Sequence, residues 1–186
     1  MTVMIEDPNT TFIHIPKTAG TAISRWLIHH ANGQWQFKDT HGGKHAPLDM
    51  IKKLRPEANL GFVFVSIRNP WDRMVSGYHY YKKQRKLKEF PSFEKFLFQE
   101  EWHQLNKPQA HYFKSQEVDC VIRYENLVED FRQIQQRFGK NKKPLQRSNR
   151  SDRTPDYRTY YTSSAMIDIV AKRHQKDLRR FKYTFE

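Results

Sequence analysis

The sequence has 186 residues, enough for one domain of ordinary size with a real hydrophobic core. Hydrophobic residues make up 37% and aromatic residues 14%, with 13 Phe, 9 Tyr and 4 Trp; so many large apolar side chains exclude disorder despite a mean hydropathy of -0.91. Lys and Arg number 33 against 20 Asp and Glu, a net charge of +13, which excludes an acidic tail and suits nucleic acid, a phosphorylated nucleotide, an anionic polysaccharide or a membrane surface equally well.

Cys120 is the one cysteine, which excludes an intramolecular disulfide framework and a Cys-based zinc site. A reducing, cytoplasmic setting is therefore expected. The opening MTVMIEDPNT has two acids and a proline where a secretory signal would need a basic start and an apolar run. No later window approaches a membrane span, so a soluble chain is expected.

In chain order, a short apolar strand is predicted at Thr11 to Ile15, then the turn Pro16-Lys17-Thr18-Ala19-Gly20, then a helix from about Thr21 to His30. After a polar stretch with Gly33, Gly42 and Gly43, Pro47 opens a helix carrying Leu48, Ile51 and Leu54. LGFVFVSI, residues 60–67, reads as a strand buried on both faces. A long helix follows from Pro70 through Tyr81 or beyond, and a second from about Ser92 to Glu101 with Phe93, Phe96 and Leu97 on one side.

Val118 to Tyr124 is the next predicted strand. Asn126 and Glu129 have capping-box spacing before a helix with Leu127, Phe131, Ile134 and Phe138 that closes at Gly139. One last helix is predicted from Ser163 or Ser164 to about Arg180, with Ile167, Val170, Leu178 and Phe181 facing the core. Strands alternating with helices predict an α/β, P-loop-like three-layer fold with a small central parallel sheet flanked by helices.

Two strand-to-helix junctions carry the chemistry. In IHIPKTAGTAI, residues 13–23, successive backbone N–H groups and a helix dipole make a site for a phosphate or sulfate group. Gly20 permits close backbone approach, Thr18 and Thr21 bring hydroxyls, and Lys17 brings a mobile charge. A Walker A loop would place its lysine after the second glycine and a hydroxyl residue for magnesium. Here the lysine precedes the glycine, the first glycine is absent, and the second strand ends in Arg68 rather than an acidic metal ligand. The loop is therefore suited to an anion without a metal ion.

In SIRNPWDRMVSGYHYY, residues 66–81, Arg68 at the strand end and Ser76, about two helical turns on, are candidates to face one phosphate. Arg-Asn-Pro also simply ends a strand, and Asp72 also suits a first helical turn on dipole grounds.

PKTAGT followed some fifty residues later by RNPWDRMVSGY resembles the sulfotransferases that use 3′-phosphoadenosine 5′-phosphosulfate (PAPS), in particular the carbohydrate branch that includes the heparan sulfate 2-O enzymes. RYENLVEDF and the C-terminal TYYTSSAMIDIVAKRHQKDLRRFKYTF extend the similarity over nearly the whole chain, as a single sulfotransferase domain, 1–186.

The resemblance implies that Lys17, Thr18, Ala19, Gly20, Thr21 and Ala22 cradle the 5′-phosphosulfate of PAPS. It also implies that Arg68 and Ser76 hold the 3′-phosphate, with 3′-phosphoadenosine 5′-phosphate (PAP) as product. Lys17 is the candidate for leaving-group stabilisation. Ala22 departs from the Ser or Thr common at that position, so one hydroxyl contact is missing.

THGGKHAPLDMI offers two histidines, His41 and His45, with an intrinsic pKa suited to accepting a proton near neutral pH. The resemblance implies a histidine base in this region, and His45, directly before the helix, matches it better than His41, with Asp39 or Asp49 behind them; the plain alternative is a loop histidine that caps the helix or faces water. His14, His79 and His174 read as structural. KNKKPLQRSNRSDR, residues 140–153, matches the region that closes over the nucleotide in the family, with Arg150 as a second 3′-phosphate ligand and Arg153, Ser148 and Asn149 beside it.

The leading expectation is a metal-free, PAPS-dependent sulfotransferase that moves a sulfuryl group to a hydroxyl acceptor by in-line displacement. A carbohydrate acceptor is expected, with an anionic polysaccharide among the candidates. The alternatives are a P-loop nucleotide kinase or NTPase, a basic nucleic-acid-binding module, and a structural protein with a degenerate nucleotide site. No nucleic-acid-binding signature supports the second. Residues 131–186 hold 15 Lys and Arg against 5 Asp and Glu, so the basic partner surface is sought there. The short length predicts an open acceptor cleft, or one completed by a second subunit of a homo-oligomer.

Overall fold

The computed structural model describes residues 2–36, 45–85, 91–99, 103–114, 117–139, 144–146 and 153–186. They divide into two compact units, the first from residues 1–67 and 111–148, the second from 68–110 and 149–186.

The first unit is built on a five-stranded sheet in the order β3-β1-β2-β4-β5. Its strands are β1 (Thr2–Ile5), β2 (Thr10–Ile13), β3 (Gln34–Gln36), β4 (Phe62–Ile67) and β5 (Cys120–Arg123). The centre is parallel, with Phe12 opposite Phe64 and Phe64 opposite Cys120. This is the α/β arrangement the sequence predicts, and LGFVFVSI supplies the middle strand of its parallel part, buried from Val63 to Ile67. Beyond it, β1 runs antiparallel to both β2 and β3. That edge has no clear sequence signal, because β1 has four residues and β3 three, too few to display a period of two.

Val3, Ile5, Phe12, Phe64 and Ile122 form one buried face with Ile23, Trp26 and Leu27 of α1 (Gly20–Ala31) and Phe131 and Ile134 of α6 (Leu127–Arg137). The rings of Trp26 and Phe131 meet edge-on at 5.2 Å, a favoured aromatic geometry. Pro47 precedes α2 (Leu48–Leu54), which buries Leu48 and Ile51 and leaves Leu54 exposed. The Asn126–Glu129 capping box does not form. Instead Asp130 reaches back from the first turn of α6, accepting the Arg123 N–H and the Asn126 side-chain amide, both at 2.7 Å. Glu129 pairs with Arg132 at the surface. Gly139 closes the helix at φ 61, as its position predicts.

The second unit packs helices α3 (Pro70–Arg85), α4 (Phe93–Phe98), α5 (His103–Asn106), α7 (Ser164–Arg173) and α8 (Gln175–Phe181). Trp71, Met74, Val75 and Tyr78 of α3 share a core with Phe93, Phe96, Leu97, Leu105, Tyr161, Met166 and Val170. Tyr78 meets Phe93 and Phe96 edge-on, each at 5.4 Å. Gly77 allows the close approach of α5, since a Cβ there would lie 2.1 Å from Leu105 Cδ1. The single last helix of the sequence reading is two helices, broken at His174 (φ -105, ψ 20). The break lets His174 and Asp177 turn inward, both wholly buried.

Candidate active site

In the first unit, β2 ends at Ile13 and α1 begins at Gly20, so residues 14–19 make the strand-to-helix junction. Lys17 and Ala19 both adopt left-handed backbone, at φ 67 and φ 69. Such conformations cost roughly 1 kcal/mol or more for residues other than glycine. Two in three residues is strain concentrated at a loop built to turn its amides. Ala19 caps α1 through its carbonyl, which accepts the N–H groups of Ala22 (2.9 Å) and Ile23 (3.1 Å). It offers no side-chain cap, and the first turn carries no acid. The positive end of the helix thus meets no fixed carboxylate from its own first turn, the condition that favours an anionic ligand.

Thr18 is wholly buried, with its hydroxyl donating to the Ile15 carbonyl at 3.0 Å and lying 2.8 Å from the Ser66 hydroxyl of β4. Its side chain ties the loop to the sheet. Lys17 and Thr21 are half-buried, and Ala22 is buried.

Gly20 lies against the His14 imidazole, and a Cβ there would fall 1.9 Å from His14 Cδ2. His14 in turn meets His45 edge-on, with ring centroids 4.7 Å apart. The His45 Nδ1 is 2.8 Å from the His14 carbonyl oxygen. A carbonyl can only accept, so Nδ1 carries the proton and Nε2 carries the lone pair. The structure therefore brings His45 to the junction that holds Lys17 and sets the tautomer a general base needs at Nε2. It also adds His14, whose place in an apolar strand concealed it. The available signal was that it stands three residues before Lys17. Asp49 accepts the N–H of Met50 at the exposed start of α2.

In the second unit, Arg68 is buried, and both Nε and one terminal nitrogen lie 2.7 Å from Asp72 Oδ2. The other carboxylate oxygen of Asp72 forms an ion pair with Arg153 at 2.7 Å. Asp72 thus holds the Arg68 guanidinium through one oxygen and pairs with Arg153 through the other. Ser76 follows Asp72 by four residues on α3, on the same helix face. Arg73 serves the chain: wholly buried, it donates to the carbonyls of Gln104 (3.0 Å), Leu105 (3.3 Å) and Lys107 (3.0 Å). His79 Nε2 lies 3.0 Å from the Tyr160 hydroxyl. Asp39, His41, Ser148, Asn149 and Arg150 lie outside the described residues. Gln109 and Asp177 are silent in the sequence: the Gln109 side chain accepts the Arg68 N–H, and Asp177 accepts the Gln109 N–H.

Among the described residues no group of three or more His, Cys, Asp or Glu is arranged to hold a metal ion. No described helix is long and apolar enough to cross a membrane.

The class these features define is an α/β protein whose strand-to-helix junction at residues 14–19 follows a pattern other than Walker A. A model of the Sulfotransferase family matches residues 1–184, and the chain belongs to that family. No curated protein matches it. Among solved structures it is similar to a sulfotransferase from Alicyclobacillus acidocaldarius, at 17% identity and a TM-score of 0.38, over 70% of this chain and 60% of that one. The chain thus spans less than two thirds of that protein's length.

Proposed function

We propose that the protein transfers a sulfuryl group from PAPS to a hydroxyl acceptor, with His45 as base. The observation that carries this reading is the junction at residues 14–20: left-handed backbone at Lys17 and Ala19 before an acid-free helix start, with His45 held beside it by His14. Its donor set, main-chain amides and a lysine, fits the 5′-phosphosulfate of PAPS. When bound, PAPS supplies an activated sulfuryl group on a phosphate leaving group.

Lys17 to Thr21 bind that end through their amides and the Lys17 ammonium, which places positive charge where the leaving oxygen develops negative charge. Ala22 lines the end of this cradle, its own N–H donated to the Ala19 carbonyl at 2.9 Å. Arg68 and Ser76 bind the 3′-phosphate, with Arg150 as a further ligand. His45 accepts the acceptor's proton at Nε2 while Nδ1–H stays on the His14 carbonyl, so the ring is oriented throughout. A carbohydrate hydroxyl is the acceptor, and the basic excess of residues 131–186 suits an anionic polysaccharide.

The test follows labelled sulfuryl from PAPS into a panel of oligosaccharides. Wild type should label an acceptor. His45→Ala should bind PAP as wild type does and lose turnover by about a hundredfold or more. A fully active His45→Ala protein removes His45 from the base role, and the absence of transfer from PAPS to any hydroxyl compound overturns the reading.

A further inference from the structure

We propose that Gln109 and Asp177 are positioning residues that hold Arg68 for anion binding, an inference that rests on reading Arg68 as a 3′-phosphate ligand. All three belong to the second unit. Arg68 stands between β4 and α3, outside both, so no helix or strand ladder fixes its main chain. The Gln109 side chain does so instead. Its Oε1 accepts the Arg68 N–H and its Nε2 donates to the Arg68 carbonyl, both at 2.8 Å. A primary amide carries one acceptor and one donor group side by side, so this pairing grips Arg68 on both sides of its Cα.

Gln109 is wholly buried and is itself held by Asp177 of α8. The Gln109 N–H donates to Asp177 Oδ2 at 2.7 Å, the Ala110 N–H donates to Oδ1 at 2.8 Å, and Gln109 Nε2 lies 3.3 Å from Oδ2. A wholly buried carboxylate persists as an anion only where such donors replace water. The same stretch is gripped by Arg73 through the carbonyls of Gln104, Leu105 and Lys107. Its amides face a buried anion and its carbonyls a buried cation, so the turn that carries Gln109 has little freedom to shift. Arg68 is thereby fixed twice, at its main chain by Gln109 and at its guanidinium by Asp72. Such placement matters because a donor displaced by about 1 Å loses much of its value to a bound phosphate.

A purely architectural role would weaken every ligand alike, whereas positioning predicts a loss confined to the 3′-phosphate. PAP carries that phosphate and adenosine 5′-monophosphate (AMP) does not, so calorimetric titration with both separates the two roles. Wild type should prefer PAP, and Arg68→Ala should lose the preference. Gln109→Met should bind AMP as wild type does and PAP about tenfold more weakly. Combined with Arg68→Ala it should weaken PAP no further. Unchanged PAP binding by Gln109→Met, or equal losses for both nucleotides, overturns the proposal. Should that variant not fold, Asp177→Asn, which keeps size and one acceptor oxygen, is read by the same criterion. A wild type that binds PAP and AMP alike, or an Arg68→Ala protein that keeps the preference, overturns the reading of Arg68 itself and the proposal with it.

Discussion

Gly20 is set by its neighbour. A methyl group there would enter the His14 imidazole, so Gly20→Ala should destabilise the protein by about 1–3 kcal/mol, measured by urea unfolding. The His14→Ala background should tolerate the same change at little further cost. Equal losses in both backgrounds would show that backbone freedom, rather than the imidazole, requires the glycine. Lys17, Gly20 and Arg68 stand out in the sequence because an anion loop at a strand-to-helix junction would demand particular residue types at short spacing. His14 does not, because a histidine in an apolar strand reads as core until its ring is located. Gln109 and Asp177 were further out of reach: their partners lie 41 and 68 residues away, and nothing local marks a buried amide or carboxylate as a clamp.

Among the elements, α1 and α3 follow from helical spacing and punctuation, and β4 from a continuous apolar run bounded by polar residues. The break between α7 and α8 does not. The sequence from Ser164 to Phe181 keeps a helical pattern, and the break at His174 accompanies the burial of His174 and of Asp177 in the first turn of α8. The helix α5 and the turn after it likewise depend on a tertiary contact, the guanidinium of Arg73. Arg73→Met keeps much of the volume and leaves three carbonyls without that donor, so a loss of about 2–4 kcal/mol is expected in chemical denaturation. A loss below about 0.5 kcal/mol would mean that the carbonyls find other donors.

For the whole molecule, His174 and the half-buried His79 contribute to the response to acid. Burial lowers the His174 pKa despite Asp177 beside it. His79 is lowered by burial and then by Arg153 and Lys82. Below the ordinary imidazole value of 6.5, the unfolded chain takes up these protons before the folded one does. The corresponding stability is present above that value and lost as pH falls toward the folded pKa. Asp177 acts in the same sense at lower pH: burial alone would raise it, yet His174 and the amides of Ala110 and Gln109 hold it below its ordinary 3.8. Thermal melting should therefore occur several degrees lower at about pH 5.5 than at about pH 7.5, and His174→Gln should flatten the difference. A melting temperature that rises on acidification would contradict the assignment.

At the same scale, nucleotide binding by the intact chain tests the central claim most directly. Melting is followed with PAP in metal-free buffer and, separately, with ATP and magnesium. At about a hundredfold excess over Kd, PAP should stabilise the protein by about 2.7 kcal/mol, a shift of several degrees, without any metal. A protein unmoved by PAP yet stabilised by ATP with magnesium would contradict the account.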